Sequence, residues 1–336
     1  MILTPTYRMT PVKHFYAITF HIDGMMRFLR RSLVLLLVSA IAVSVSYAGT
    51  RTASVSGDWS AKATWGGANI PKASDNVVIN AGITVTLTAN GSYSGTMTLN
   101  NGSVIAGSSY TLTPNASGTI TVFGDATISC KLVGTKTFSK AGSGTLTLSG
   151  ANTFTTSFTI SAGTVKLGAS STSSASGPLG TTAAGTTVNS GASLDLNGYS
   201  LTSSATEALS LTGTGVSSLG ALTNSSSTAS TYVGVITFSS AASIVGEAGT
   251  ITITGTPAIG TTAITLGGST GGTFSSVIAG NRTVTKEGSG AWILSGANTY
   301  SGGTVLSEGK LNINHLTAIG TGTLTIASGT TIANTS

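Results

Sequence analysis

The chain has one cysteine, three tryptophans and six prolines in 336 residues, and charged residues make up only 7% of it, against roughly 25% in an ordinary soluble domain. A lone Cys130 excludes an internal disulfide framework, so stability has to come from backbone ladders and stacked apolar side chains. Cys130 closes the run Ala126-Thr127-Ile128-Ser129-Cys130, where a buried, inert thiol is expected. After residue 48 the only histidine is His315, too little for a Ser-His or Cys-His nucleophile pair. Helical periodicity is missing there as well.

The sequence is instead rich in 59 Thr, 49 Ser and 45 Gly, nearly half of its residues, while hydrophobic residues still reach 40%. Disorder requires low hydrophobicity and high net charge, and neither holds. The formal charge is +6. Five of the fifteen cations, Arg8, Lys13, Arg27, Arg30 and Arg31, precede residue 49 with a single acid, Asp23. The remainder carries ten cations against eight acids, with no basic cluster to make the several phosphate contacts of nucleic-acid binding.

The early cations belong to a three-part pattern: Arg27, Arg30 and Arg31, then the apolar run Leu33 to Val45, then Ser46 and Ala48 around Tyr47. This predicts a secretory signal over 25–48, cleaved after Ala48. Thirteen residues in the apolar run fall short of a membrane span, which takes about 20, and no cysteine follows to accept a lipid. The upstream extension 1–24 is not needed by this signal, so a start at Met25 or Met26 is expected.

Internal repetition is the strongest signal. Lys140-Ala141-Gly142-Ser143-Gly144-Thr145-Leu146-Thr147-Leu148-Ser149-Gly150-Ala151-Asn152-Thr153-Phe154 returns as Lys286-Glu287-Gly288-Ser289-Gly290-Ala291-Trp292-Ile293-Leu294-Ser295-Gly296-Ala297-Asn298-Thr299-Tyr300. Thr159 to Leu167 aligns with Val305 to Ile313 without a gap. Apolar residues alternate with Thr, Ser or Lys, a period of two that predicts short strands with one buried face. The expected core is Leu146, Leu148, Ile160, Val165 and Leu167, with Trp292, Leu294, Leu306, Leu311 and Ile313 as the second set and Ile293 outside. Gly82, Gly102, Gly163, Gly191, Gly309 and Gly329 are expected at positive-φ corners.

Such strands could form an antiparallel sandwich or a parallel solenoid. Scarce charge and the lack of regular two-residue hairpin signals favour the solenoid, with roughly 22 residues per coil. The motif Gly-Ser-Gly-x-x-x-Leu-Ser-Gly-Ala-Asn-Thr-(Phe/Tyr), followed in the second copy by Ser301-Gly302-Gly303-Thr304, resembles the autotransporter-associated β-strand repeat, or passenger-associated transport repeat. The first copy departs from it at Thr155-Thr156-Ser157. The resemblance implies an all-β, right-handed parallel β-helix in an exported bacterial surface or secreted protein, preceded here by a signal peptide helix.

Residues 49–90, with Gly57-Asp58-Trp59, Thr64-Trp65-Gly66-Gly67 and Asp75-Asn76-Val77-Val78-Ile79, are similar to the opening module of many exported bacterial β-helix proteins. An N-terminal cap there would shield an open coil edge; stacking of Trp59 and Trp65 on sugar rings is the competing use. The β-helix is expected over 91–336, with repeat copies at 138–200 and 283–336 and a truncated C-terminal end.

Candidate chemistry is sparse. The acids after the leader are Asp58, Asp75, Asp125, Asp195, Glu207, Glu247, Glu287 and Glu308, none in a close pair. Gly142-Ser143-Gly144 and Gly288-Ser289-Gly290 lack the Gly-Lys-Ser/Thr of a phosphate loop and read as turns. No catalytic, cofactor-binding or metal-binding residue is expected. The expected role is a non-catalytic passenger or stalk of an adhesin-like protein, with a secreted carbohydrate-active enzyme or carbohydrate-binding module as the alternative. Expected partners are the export machinery and surface glycans or proteins, with no nucleic acid, and with membrane contact only through the cleaved signal or a missing C-terminal anchor.

Overall fold

A computed structural model describes residues 48–171, 173–202 and 207–336. The upstream extension and, apart from Ala48, the expected signal lie outside the described residues.

Alternation of Thr or Ser with Val, Ile and Leu produces strands of two to five residues, save one of eleven, and these pair in parallel ladders. Each strand finds its neighbour one coil along the chain, as in Leu146 against Val165 and Val165 against Leu194. The architecture is a parallel β-solenoid, and the antiparallel sandwich is excluded. Coil length varies from 19 residues between Leu146 and Val165 to 31 between Leu201 and Tyr232. The only helical segments among the described residues are 3-10 turns at Lys62–Trp65 and Val216–Ser218.

One ladder carries Phe138–Ala141 and Phe158–Ile160; a second carries Thr145–Leu148 and Gly163–Leu167. They meet at the eleven-residue strand Ile236–Gly246, which pairs with both Leu209–Gly213 and Leu222–Asn224. Beyond it, Ile264–Gly267, Val284–Lys286 and Thr304–Leu306 continue the second ladder. The first strand of the later repeat copy therefore continues the ladder that held the second strand of the earlier copy. Residues 49–90 contribute to the same sheet, because Asn76–Ile79 pairs forward with Met97–Leu99 and Thr84–Thr86 with Ser103–Ala106. Residue 90 is therefore no break in the ladder.

The core follows the expected phase. Leu146, Leu148, Ile160, Val165, Leu167, Trp292, Leu294 and Leu306 are fully buried, Leu311 nearly so, and Ile293 faces outward at intermediate exposure. Ile313 departs from expectation: it is half-buried, since it stacks on Leu294 on one side while the ladder on its other side ends at Asn312. Outward positions form hydroxyl columns, such as Thr119, Ser139, Thr159, Thr187, Ser210 and Thr237 on six successive coils, where β-branched and hydroxyl neighbours pack across strands. All six corner glycines named above have φ between 66° and 81°.

Trp59 and Trp65 are 4% and 3% exposed and meet edge to face with centroids 5.2 Å apart. Trp65 Nε1 donates to the Trp59 carbonyl, so these rings pack inside and offer no face to a sugar. Nearby, the Asp75 carboxylate accepts from the Gly49 and Lys72 amides and from Arg51 Nε at 3.0 Å. Burial opposes its charge, but the bonds from Arg51, Lys72 and Gly49 hold it below the usual carboxylate range.

Candidate functional site

Two polar side chains at equivalent places in the two repeat copies are buried. In the strand Phe138–Ala141, Phe138 and Lys140 point inward and Ser139 outward. The Lys140 stem runs through the core, and its ammonium donates to the carbonyls of Gly142 and Ala162, each at 2.8 Å, and of Gly144. Lys286 repeats this with the carbonyls of Glu287 at 2.7 Å, Gly288 at 2.6 Å and Glu308 at 3.0 Å. Both lysines are fully buried. Burial pushes each down to about 8, while three carbonyl acceptors occupy all three ammonium protons. The Lys positions of the alternating pattern were expected outside. Lys166 does lie toward solvent, but Lys140 and Lys286 do not, because coil corners above and below supply carbonyls that only a long cationic side chain can reach.

The repeated asparagines bridge coils. Asn152 Oδ1 accepts from the Leu132 amide at 2.8 Å, and its Nδ2 donates to the Pro178 carbonyl at 2.7 Å. Asn298 does the same with the Ile278 amide at 2.8 Å and the Ala318 carbonyl at 2.5 Å. Each is 1% exposed. The following aromatic fills the corner: Phe154 packs edge to face on Phe138 at 4.6 Å, and the Tyr300 hydroxyl meets Thr304 Oγ1. The shared 146-residue offset of these Lys, Asn and aromatic positions was the visible signal; their partners were not.

Of the eight acids, Asp58 is bound by Ser60 and Thr88. Asp195 accepts from the Ser225 amide and hydroxyl and lies 3.7 Å from Lys166 Nζ. Glu207, 7% exposed, accepts from Thr186 Oγ1 at 2.7 Å, and burial raises its carboxyl to about 8. Asp125 is exposed. Glu247, Glu287 and Glu308, distant in sequence, come together along one open groove of about 490 Å³. Cys130 is fully buried, and burial pushes its thiol up to about 12, so it holds no thiolate at neutral pH. His315 is exposed, with Nδ1 on Thr317.

No curated protein and no solved structure matches the chain. The matches to a family model are shorter than the repeat copies expected from sequence, yet each takes in the caged lysine and the bridging asparagine. Residues 138–167 and 284–313 match the model of the passenger-associated-transport-repeat family.

Proposed function

We propose that the chain is a non-catalytic passenger or stalk segment of an exported bacterial surface or secreted protein, adhesin-like in role, from a Gram-negative cell. The observation that carries this reading is the stacking of two passenger-associated-transport repeats in one parallel solenoid, with their distinctive Lys and Asn side chains committed to backbone bonds inside the coils. Such a repeat invests its polar chemistry in holding coils together. Burial of Trp59 and Trp65 also removes the main support for the alternative, a carbohydrate-active enzyme. The leader over 25–48 would engage the export machinery, and the Thr and Ser faces would meet surface glycans or proteins.

Expression with the native leader in a Gram-negative host tests the reading: the product is expected outside the cytoplasm with Gly49 at its N-terminus. The purified chain is expected to cleave none of a panel of pectins, alginates, glucans and glycosaminoglycans, with or without Ca²⁺. Depolymerisation abolished by changing Asp58, Asp75, Asp125 or Asp195 to Asn would replace it with the enzymatic alternative.

A further inference from the structure

Gly49, the residue expected first after cleavage, is held on both sides. Its amide donates to Asp75 Oδ1 at 3.0 Å, and its carbonyl accepts from the Asn76 amide at 2.8 Å. The strand Thr50–Ala53 starts at the next residue and lies on Asn76–Ile79, in register from Thr50 against Asn76. Asp75 is 2% exposed, and its other oxygen, Oδ2, accepts from Arg51 Nε at 3.0 Å and from the Lys72 amide at 3.1 Å. A carboxylate so far from water depends on charge-assisted partners.

A second observation concerns the residue type. Gly49 is not at a positive-φ corner, so backbone conformation does not demand glycine there. A Cβ at this position would lie 3.1 Å from Asp75 Oδ1 and 3.4 Å from Arg51 Nη2. The close approach of main chain to carboxylate therefore accounts for the glycine. Ala48, immediately before it, is exposed.

Cleavage changes the donor at this spot. In the uncleaved chain Gly49 N is a neutral amide with one proton. Hydrolysis adds water across the Ala48–Gly49 bond: the carboxylate leaves with Ala48, and the nitrogen becomes an amine that is protonated at neutral pH, since its ordinary pKa is about 8. The atom that faces Asp75 Oδ1 then carries a positive charge and three protons.

We propose that Asp75, with Arg51 on its other oxygen, is a receptor for the new α-ammonium of Gly49, so that removal of the leader locks the first strand of the solenoid in place. The exposed end of a ladder is where stray strands add, and this lock would tighten it in the processed chain alone. The inference rests on the export reading for the origin of the amine.

The test compares a chain that begins at Gly49 with one that keeps Ser46-Tyr47-Ala48 ahead of it; both hold every strand of the solenoid and carry the same net charge. The Asn76 and Asn80 amides donate to the Gly49 and Ala53 carbonyls, and their hydrogen exchange is expected to be about tenfold slower in the chain that begins at Gly49. Acetylating that α-amine, which returns a neutral amide to the same nitrogen, should erase the advantage without any substitution. In Asp75→Asn the two chain lengths should exchange alike. Exchange in the longer or acetylated chain as slow as in the free-amine chain, or a difference that persists in Asp75→Asn, would overturn the proposal. Because both ends are set in advance, that failure leaves the export reading intact, whereas a leader retained on the exported product would remove that reading and leave this comparison standing.

Discussion

Replacing Asn152 with alanine removes two buried hydrogen bonds and almost no apolar contact. The Leu132 amide loses an acceptor at 2.8 Å and the Pro178 carbonyl a donor at 2.7 Å, at a site 1% exposed. Water cannot readily replace a side chain buried between coils. Each orphaned backbone group costs about 1–3 kcal/mol, and side-chain entropy recovered by the shorter residue returns less than about 1 kcal/mol. The net loss should be about 2–4 kcal/mol. Asn298→Ala should cost as much, because the same two bonds span the same kind of gap in the later copy. Asn152→Asp preserves the acceptor but faces the Pro178 carbonyl with oxygen, so it should be no milder than alanine. Urea unfolding followed by far-UV circular dichroism gives the midpoint shift, and hydrogen exchange shows whether protection falls first at Leu132 and its neighbours. A loss below about 0.5 kcal/mol in both copies, or unchanged exchange around the altered coil, would refute the bridging argument.

Lys286→Met keeps the stem volume and leaves three carbonyls without their donor; it should lower stability by about 2–4 kcal/mol, read by urea unfolding, and parity with wild type would mean the cage is dispensable. Gly309, with φ 70° and a Cβ position 2.4 Å from the Gly288 carbonyl, should tolerate no side chain: Gly309→Ala is expected to lose more than about 1 kcal/mol, and a melting temperature equal to wild type would contradict the corner geometry. Burial raises Glu207 from 4.5 to about 8, so its contribution is fully present below pH 4.5 and is lost as pH rises through about 8. Glu207→Gln should flatten that part of the melting-temperature profile, and an identical slope in both proteins would assign the dependence elsewhere.

The strand phase was legible because it rests on local sequence. Trp292 and Leu294 fall on Leu146 and Leu148 by the repeat offset, and all four are buried. Corner glycines were legible for the same reason, since positive φ is a property of one residue. Period two puts Lys140 on the face of Phe138, two residues earlier; what sequence hid was its set of partners, since Gly142, Gly144 and Ala162 lie at coil corners that meet only once the chain has wound around. The gathering of Glu247, Glu287 and Glu308 was hidden likewise, because it depends on coil lengths that vary from 19 to 31 residues. The Asn152 and Asn298 bridges were half legible: the repetition marked the positions, and stacking supplied the partners.

The double-paired strand Ile236–Gly246 changes what repetition means in this chain. Thr145–Leu148 of the earlier copy and Val284–Lys286 of the later copy occupy a single ladder, although they are different strands of the motif. Sequence periodicity and directional periodicity are thereby uncoupled. A rigid partner reading one side of the solenoid meets the motif's second strand at the first copy and its first strand at the next, so two copies do not make two equivalent docking stations. Avidity from simple duplication is unavailable on such a side, and the chain gains instead a set of dissimilar faces from one recurrent element.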